Sequence, residues 1–198
     1  MQVKCQWIEQ EFDGLIPSLK VRKVDAVLSS LTITEERKKS VDFTNRYYQS
    51  AGRLVMREGA ELGKDFAGLS GKRVGVQRAS IHDRFATEVI SQAGAQIIRY
   101  ASLNEAYLDL ISGRLDAVQG DDVAVQMGFL DTANGKGYAF AGDPLRDPRY
   151  FGEGVGIAVR KGDKALAERF NRAIAAIREK GEYQQIQDRY FKFDIYGQ

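Results

Sequence analysis

The sequence predicts a mixed α/β fold made of two lobes with similar wiring. Three observations predict it: an internal repeat of a helix followed by a strand, a βαβ unit between the two copies, and an amphipathic helix near the end of the chain. The chain has 198 residues, 43% of them hydrophobic, which is enough for two modest cores. Its formal net charge is +2 with mixed signs, so no patch for nucleic acid or a membrane surface stands out.

The repeat relates FDGLIPSLKVRKVDAVLSS, residues 12–30, to LNEAYLDLISGRLDAVQGD, residues 103–121. Aligned without gaps, the two copies share the triplet Asp-Ala-Val, and Ser30 falls on Asp121. Each copy predicts a helix that leads into a buried strand.

Capping residues define the helices of the two copies. We expect Asn104 as the N-cap of the second helix and Gly113 at its C-terminal end, with Asp13 as the N-cap of the first helix. Pro17 fits the first helix only if it lies in the first turn.

Between the copies, the pattern predicts a strand at 73–76, a helix at about 83–93 and a strand at 96–100. This βαβ unit joins the second copy to form a parallel α/β domain. The apolar positions of 165–178 predict an amphipathic helix that Gly181 ends.

Several classes of site find no support in the sequence. No run approaches the ~18 apolar residues of a membrane-spanning helix, and the start of the chain has no apolar signal region. The single cysteine, Cys5, is interpreted as a small buried hydrophobe beside Trp7. The single histidine, His82, has no neighbours at metal-ligand spacing, so a hydrogen-bonding or exposed side chain is expected. For the same reason we expect no metal. We also expect no cofactor, because the glycine-rich stretch 152–159 leads into a strand and no nucleotide-binding motif is present.

The first copy ends in hydrogen-bond donors. After the buried strand come Ser29, Ser30 and Thr32, then a helix start near Thr34 and the guanidinium of Arg37. Hydroxyls, backbone amides and a helix start favour a small anion, and arginine can form a bidentate pair with a carboxylate. The alternative interpretation is a capped helix with a solvated charged face.

The second copy ends in acids. Asp121 offers a negative charge where Ser30 offers donors, so a ligand with both a carboxylate and an ammonium group would suit the pair. That description fits a free amino acid. The alternative is that Asp121 caps a helix and Asp122 is an exposed neighbour. The turn with Ser80 and His82 is a third polar strand end, which together with the other two predicts a cleft.

The chain also resembles a known family along nearly its whole length. The resemblance is carried by the segments CQWIEQEFDGLIPSLKVRKVDAVLSSLTITEERKKSVDFT, GKRVGVQRASIHDRFA, SGRLDAV, YFGEGVGIAVRKGD and KGEYQQIQDRYFKFDIYGQ. These segments resemble the periplasmic amino-acid-binding proteins of bacterial ABC importers, specifically the lysine/arginine/ornithine and histidine binders. VGVQRASIHDR and GIAVRKGDK are most similar to the arginine/ornithine branch.

The resemblance implies a type II periplasmic-binding-protein fold, in which two α/β lobes close on the ligand about two hinge strands. Lobe 1 is then expected at 1–50 and 152–198, and lobe 2 at 51–151. The hinge crossings are expected near 48–53 and 147–154.

The resemblance also implies ten binding residues. Arg37 would pair with the ligand carboxylate, with donors from Thr32 and the amide of Ile81, and Asp121 would take the α-ammonium with help from Ser30. One aromatic ring would stack on the ligand side chain and the remaining residues would line the pocket. The set is Phe12, Ser29, Ser30, Thr32, Arg37, Gln77, Ser80, Ile81, His82 and Asp121. Close relatives often have threonine, glutamine and leucine at the positions of Ile81, His82 and Gln77.

The start of the sequence departs from the family pattern. Family members begin with a signal peptide and then a strand, a loop and a helix, a unit of about 30 residues or more. This sequence begins after that unit, so we expect an incomplete first lobe, no partner for Cys5 and an open sheet edge that invites a dimer or a strand swap. The resemblance implies a periplasmic location, although this sequence carries no signal peptide.

The predicted function is capture of a basic L-amino acid, arginine or ornithine first, then lysine or histidine, for an inner-membrane ABC permease. No catalysis and no nucleic acid are expected. An enzyme on the same fold, such as a cyclohexadienyl or arogenate dehydratase, is the alternative and would need a general acid or base, for which His82 and Asp121 are candidates. A ligand-sensing domain of a regulator is a third interpretation, which an attached DNA-binding or transmembrane segment would mark.

Overall fold

The computed structural model describes residues 1, 3–192 and 194–197, and these form two compact units. Unit 1 consists of Met1–Gln10, Gly14–Ser50 and Gly152–Gln198. Unit 2 consists of Glu11–Asp13 and Ala51–Phe151. Each unit has its own sheet.

The strands are β1 (Ala26–Val27), β2 (Val41–Phe43), β3 (Gly52–Arg57), β4 (Arg73–Gln77), β5 (Gln96–Tyr100), β6 (Ala117–Asp121), β7 (Tyr138–Leu145) and β8 (Ala158–Arg160). The α-helices are α1 (Leu15–Lys20), α2 (Glu35–Lys38), α3 (Ile81–Glu88), α4 (Leu103–Ile111), α5 (Asp122–Val125), α6 (Pro148–Phe151), α7 (Lys164–Glu179) and α8 (Glu182–Gln187). Short 3₁₀ turns include Phe12–Gly14 and Ile90–Ala93.

The sheet of unit 1 has the strand order β1-β8-β2 among the described residues, and both pairings are antiparallel. Ala158 and Val159 of the central strand are fully buried, as is Val41 of β2. The amphipathic helix α7 packs on β2 and β8 and buries Ala167 and Ile174. Gly181, with φ 72°, follows the end of α7, so the predicted helix and its stop are confirmed.

The sheet of unit 2 has the order β5-β4-β6-β3-β7. Strands β5, β4 and β6 are parallel, and β3 runs antiparallel to β6 and β7. The predicted βαβ unit is confirmed, but its helix was placed too late. Helix α3 starts at Ile81 and a separate 3₁₀ turn covers Ile90–Ala93, because the cap is Ser80.

Both sides of the unit 2 sheet are apolar. One face carries Leu54, Val76, Ala117 and Phe85, and the other carries Val55, Val118, Leu110 and Phe129. The alternation along β3 and β6 therefore divides the apolar side chains of these strands between two cores.

The helix caps of the two copies differ from the prediction. In the second copy the N-cap is Ser102, whose hydroxyl accepts from the Glu105 amide while the Glu105 carboxylate reaches back to the Ser102 amide. Asn104 therefore lies inside α4. In the first copy the N-cap position is Gly14, which makes no side-chain cap, because the 3₁₀ turn that contains Asp13 precedes α1.

Two helix predictions for the copies are confirmed. Pro17 lies in the first turn of α1, where its missing N–H costs no intrahelical hydrogen bond. Gly113 follows the end of α4 in the left-handed conformation, with φ 74°.

The segment 3–10 has no regular secondary structure. Cys5 is exposed and Trp7 is 73% exposed, so the predicted burial of Cys5 beside Trp7 is wrong. Of the helices that the structure describes, none combines the length and the apolar character that a membrane span requires.

Candidate binding site

The donor-rich segment of unit 1 is held by backbone hydrogen bonds to the stretch that precedes β8. Gly156 N donates to Leu31 O, and Ile33 N donates to Gly154 O at 2.8 Å. Thr32 is buried and forms an isolated bridge with Val155. These contacts fix the backbone of residues 31–33 while the hydroxyls just before it remain at the surface.

Ser29 and Ser30 are exposed, and Ser30 has φ 50°. A non-glycine residue in the left-handed region carries strain, which proteins retain mostly at turns and functional sites. This turn lies between the end of β1 at Val27 and the bridge at Thr32.

Helix α2 begins as predicted at Thr34, whose hydroxyl accepts from the Arg37 amide at 3.2 Å. The Arg37 guanidinium is half-buried, and its Nη1 donates to Thr32 O at 3.0 Å. The structure therefore brings Arg37 and Thr32 together. Helix α2 has a single turn, so its dipole adds little field, and side chains must supply any attraction for an anion.

The outer face of α2 carries an ion-pair network in which Lys38 Nζ contacts Glu35 at 2.8 Å and Glu153 at 3.2 Å. The carboxylate of Glu35 has a lowered pKa because of its hydrogen bond to Lys38. The capped helix with a charged outer face, offered as the alternative interpretation, is thus present. The same helix also carries the half-buried Arg37, whose role in binding an anion stays a prediction.

In unit 2, the turn between β4 and α3 gathers four of the ten predicted residues. Ser80 caps α3: its hydroxyl accepts from the Asp83 amide at 3.1 Å and donates to Gln77 O at 2.6 Å. The Gln77 side chain donates to Ala101 O at 3.2 Å. The first-turn amides of Ile81 and His82 have no acceptor within the helix, so they point outward at the positive end of α3.

Asp121 ends β6 on the same sheet. It occupies the N-cap position of α5, as the alternative interpretation expected, but its carboxylate makes no capping hydrogen bond. His82 Nε2 lies 3.5 Å from Asp121 Oδ1, and the two side chains are 6% and 14% exposed. That distance is at the outer limit of a hydrogen bond, and the geometry does not complete one.

Phe12 lies in the 3₁₀ turn Phe12–Gly14 and not at the end of a strand. Glu11–Asp13 belong to unit 2, and Arg78 Nε donates to Asp13 Oδ2 at 2.6 Å. Phe12 itself is half-buried. The described structure therefore places Phe12, Gln77, Ser80, Ile81, His82 and Asp121 in unit 2, and Ser29, Ser30, Thr32 and Arg37 in unit 1.

Several polar groups near Asp121 were not predicted from the sequence. Burial raises the pKa of the Asp122 carboxyl above its usual value, and burial followed by the Asp121 charge raises the pKa of the Tyr107 hydroxyl. Burial also lowers the pKa of Arg53, whose guanidinium lies over the Phe140 ring at 4.4 Å. These groups make the Asp121 end of β6 a low-dielectric environment in which a charge interacts strongly.

Gln119 is the most conspicuous polar residue that was missed. It is completely buried in β6, and neither of its amide atoms has a hydrogen-bond partner among the described residues. Within the strand Ala117–Asp121 a glutamine has the residue type of a solvent-facing position, so no local sequence signal revealed its burial.

A surface groove of about 680 Å³ lies elsewhere, on unit 1. Its walls carry the ion pairs Lys38–Glu153 and Lys161–Asp42, and none of the ten predicted residues lines it. Within the part of the chain that the structure describes, no cluster of three or more His, Cys, Asp or Glu side chains is placed to hold a metal ion.

The chain belongs to the bacterial extracellular solute-binding proteins, family 3, whose model matches residues 1–193. Two relatives carry names that describe the binding of basic amino acids. The chain is 60% identical over 197 residues to an L-arginine-binding protein of Pseudomonas aeruginosa, and 41% identical over 197 residues to the lysine/arginine/ornithine-binding periplasmic protein of Escherichia coli. Each match covers 100% of this chain and 76% of the relative.

Solved structures agree with this membership. A Salmonella typhimurium periplasmic binding protein with high arginine specificity matches with a TM-score of 0.86 and 35% identity, over 96% of this chain and 83% of that chain. An ancestral amino-acid-binding protein described as a precursor of cyclohexadienyl dehydratase matches with a TM-score of 0.81 and 26% identity, over 96% of this chain and 78% of that chain. The predicted α/β class, the type II periplasmic-binding-protein fold and the resemblance to basic-amino-acid binders are therefore confirmed.

Proposed function

We propose that this protein is an extracytoplasmic solute-binding protein that captures a basic L-amino acid and delivers it to an ABC permease. Arginine and ornithine are the first candidates, followed by lysine and histidine. The observation that supports this proposal most is the 60% identity, over the whole chain, to an L-arginine-binding protein. The periplasm is the proposed location, because relatives with 41% and 40% identity are named periplasmic proteins.

Unit 1 would recognise the ligand carboxylate. Arg37 is half-buried and oriented by its hydrogen bond to Thr32, so the guanidinium loses little freedom when it pairs with an anion. The hydroxyl of Thr32 and the amide of Ile81, at the start of α3, would supply further donors. Ser29 would line the pocket on the unit 1 side.

Unit 2 would recognise the α-ammonium through Asp121. The carboxylate is 14% exposed, so an ammonium group that reaches it is paired in a partly desolvated environment. Ser30 would accept a second hydrogen bond from the ammonium. Phe12 would stack on the aliphatic part of a basic side chain, and Gln77, Ser80 and His82 would line the pocket.

Capture would work by closure of two lobes, which we propose at 1–50 with 152–198 and at 51–151. A ligand that contacts both lobes only in the closed state shifts the population toward that state in proportion to its differential affinity. The permease would then recognise the closed state. The crossings would lie near 48–53 and 147–154, where few residues need to change their backbone angles.

Within this proposal the protein is not an enzyme. The alternative is a dehydratase on the same fold. It is supported by the pair His82 and Asp121, because a buried imidazole 3.5 Å from a carboxylate could act as a general acid and base. Turnover of prephenate or arogenate would support a dehydratase. We expect no product above the level of a His82→Ala variant.

A second copy of the chain is a further proposed partner. Val3, Trp7 and Ile8 are 52%, 73% and 47% exposed on a segment without regular secondary structure. Several exposed apolar side chains within one short segment favour self-association. Light scattering behind a sizing column should show a dimer fraction that rises with protein concentration and falls in Trp7→Ser.

The proposed function is tested by isothermal titration with L-arginine, L-ornithine, L-lysine and L-histidine, after unfolding and refolding to remove any bound ligand. We expect saturable one-site binding with arginine or ornithine first. Circular dichroism of the same sample establishes that the chain is folded. A folded protein that gives no heat with any of the four amino acids contradicts the proposal.

A further inference from the structure

Arg78 lies in the turn between β4 and α3 and is not one of the ten predicted site residues. Its guanidinium contacts two carboxylates: Nε donates to Asp13 Oδ2 at 2.6 Å, and Nη2 lies 3.9 Å from Glu11 Oε2. These two acids are the sequence neighbours of Phe12. One arginine therefore contacts both neighbours of the residue that is proposed to stack on the ligand side chain.

The backbone that carries Arg78 is held on both sides. Arg78 N donates to Tyr100 O at 2.9 Å, which extends the pairing of β4 with β5 by one residue. The next residue, Ala79, has φ 60°, and its amide donates to Asp83 Oδ2 at 3.3 Å. Ser80 then caps α3. A left-handed residue other than glycine persists only where its surroundings hold it, so the guanidinium extends from a rigid base.

The turn that contains Phe12 has less regular structure around it. The segment 3–10 before it has no regular secondary structure, and the turn leads directly into α1, a helix of six residues. Short segments outside a sheet open more easily than the strands within one. Glu11–Asp13 belong to unit 2, as Arg78 does. The ion pairs of Arg78 therefore join a weakly supported turn to a rigid strand end.

We infer that Arg78 is a positioning residue that, through Asp13 and Glu11, holds Phe12 in place for stacking on the ligand. The inference rests on the proposed function, in which Phe12 stacks on the aliphatic part of a basic side chain. Arg78 does not touch the ligand in this arrangement. A ring that is already held in place loses less freedom when the ligand binds, so the ion pairs raise the affinity.

The expected effect is small, because the ion pairs are partly exposed. The side chains of Arg78 and Asp13 are 46% and 37% exposed, and pairs of this kind contribute little to the stability of a protein. The contact between them is nevertheless a short, charge-assisted hydrogen bond, which fixes a direction as well as a distance. We therefore expect a change in affinity of a few-fold and no change in the melting temperature beyond about 2 °C.

A double-mutant cycle tests whether Arg78 acts through Phe12. Arg78→Gln, Phe12→Ala and the double variant are titrated with L-arginine. Arg78→Gln should bind about threefold more weakly and Phe12→Ala about tenfold more weakly, and the double variant should bind as Phe12→Ala does. A direct effect of the Arg78 charge on the ligand would persist without the ring, so additive losses overturn the inference. Arg78→Lys retains the charge and should bind more tightly than Arg78→Gln.

Two further variants test the ion pair itself. Asp13→Asn should reproduce the loss of Arg78→Gln, and the two changes together should lose no more than either alone. The matched control is Arg114→Gln, at another exposed arginine of unit 2 that pairs with a carboxylate, that of Asp109, and it should bind as the wild type does. Unchanged affinity in Arg78→Gln, or a Phe12→Ala variant that binds as the wild type does, overturns the inference. The proposed function still stands in either case if the wild type binds a basic amino acid.

Hydrogen exchange of the free protein provides a readout that needs no ligand. Mass spectrometry of the peptide that covers residues 11–14 should show faster exchange of its amides in Arg78→Gln than in the wild type, and no change in Arg114→Gln. Equal exchange in all three proteins overturns the inference. If the wild type binds no basic amino acid, the proposed function fails, and the exchange rates alone decide whether Arg78 holds the turn.

Discussion

The ends of the two helix–strand copies differ in charge, in burial and in what fixes them. The first copy ends at Ser30, an exposed residue with a left-handed backbone, followed by Thr32 and a half-buried Arg37. The second copy ends at Asp121, whose carboxylate is 14% exposed and lies beside His82. Thus the two copies share the same helix–strand connectivity, but the first copy ends in hydrogen-bond donors and the second ends in an acceptor.

This difference has a physical reason. Donors that bind an anion can come from hydroxyls and backbone amides at the surface, because each is neutral and costs less to desolvate than a charged group. A single carboxylate attracts a cation most strongly when it is partly removed from water. Its removal from water requires a sheet and the helices packed on it. Unit 2 supplies that sheet around Asp121, whereas Thr32 and Arg37 are held by a short loop and one helical turn.

The largest effect is expected at the acid end. Asp121→Asn keeps the shape and removes the charge, so L-arginine should bind about 100-fold more weakly or worse, because the ammonium loses its partner in a partly desolvated site. Titration calorimetry measures this loss. Glu61→Gln, at an exposed carboxylate of the same unit, is the control and should bind normally. A loss below about fivefold in Asp121→Asn would remove Asp121 from the proposed site.

The donor end is expected to be less sensitive. Arg37→Lys retains the charge but loses the planar fork and the hydrogen bond to Thr32 O, so the affinity for L-arginine should fall about tenfold. Arg169→Lys, on the exposed face of α7, is the matched control in unit 1. Equal affinities of Arg37→Lys and the wild type would mean that the carboxylate is recognised elsewhere.

The helix caps offer a test of stability for the two copies. Ser102→Ala removes a capping box and should lower the free energy of unfolding by about 1 kcal/mol. Asn104→Ala, at the residue that the sequence analysis took for the cap, should change it by less than about 0.5 kcal/mol. Urea unfolding followed by circular dichroism distinguishes them, and the reverse ranking would contradict the observed cap.

The smallest effect concerns pH and Asp122. Burial raises the pKa of this carboxyl in the folded chain, so the folded state holds the proton more tightly than the unfolded state. Stability contributed by the protonated form is therefore lost as pH rises from the unfolded value near ~3.9 through the raised pKa. In Asp122→Asn the free energy of unfolding should rise by less than about 1 kcal/mol at pH 7, because solvent screens the partly exposed carboxylate. It should not change at about pH 3.

The control for this pH effect is Asp131→Asn, at an exposed carboxylate of unit 2. Thermal unfolding at the two pH values should show no pH-dependent gain in this variant. A gain in Asp122→Asn that grows as the pH falls would have the wrong sign and would contradict the raised pKa.

Elements with strong local signals were predictable from the sequence. Strand β5 has the predicted bounds Gln96–Tyr100, and Gly113 and Gly181 end their helices in the left-handed conformation. Periodicity and glycine act within a few residues, so the sequence contains the information. The capping box of Ser102 and Glu105 is also local and was missed because Asn104 is an equally good cap by residue type.

Features that depend on distant packing were not predictable. Nothing local distinguishes Gln119, between two buried residues, from a strand residue that faces water, because its burial depends on the packing around β6. The exposure of Trp7 likewise depends on what the segment 3–10 packs against. The ten site residues came from the resemblance and from charge at strand ends, and they stay a prediction.

The most direct test of the central claim is a titration series that crosses three proteins with three ligands. The wild type, Arg37→Ala and Asp121→Ala would be titrated with L-arginine, with agmatine, which lacks the carboxylate, and with 5-guanidinopentanoic acid, which lacks the α-ammonium. The account predicts that Arg37→Ala weakens every ligand except agmatine, and that Asp121→Ala weakens every ligand except 5-guanidinopentanoic acid. Equal losses for all three ligands in both variants would contradict the division of carboxylate and ammonium between Arg37 and Asp121.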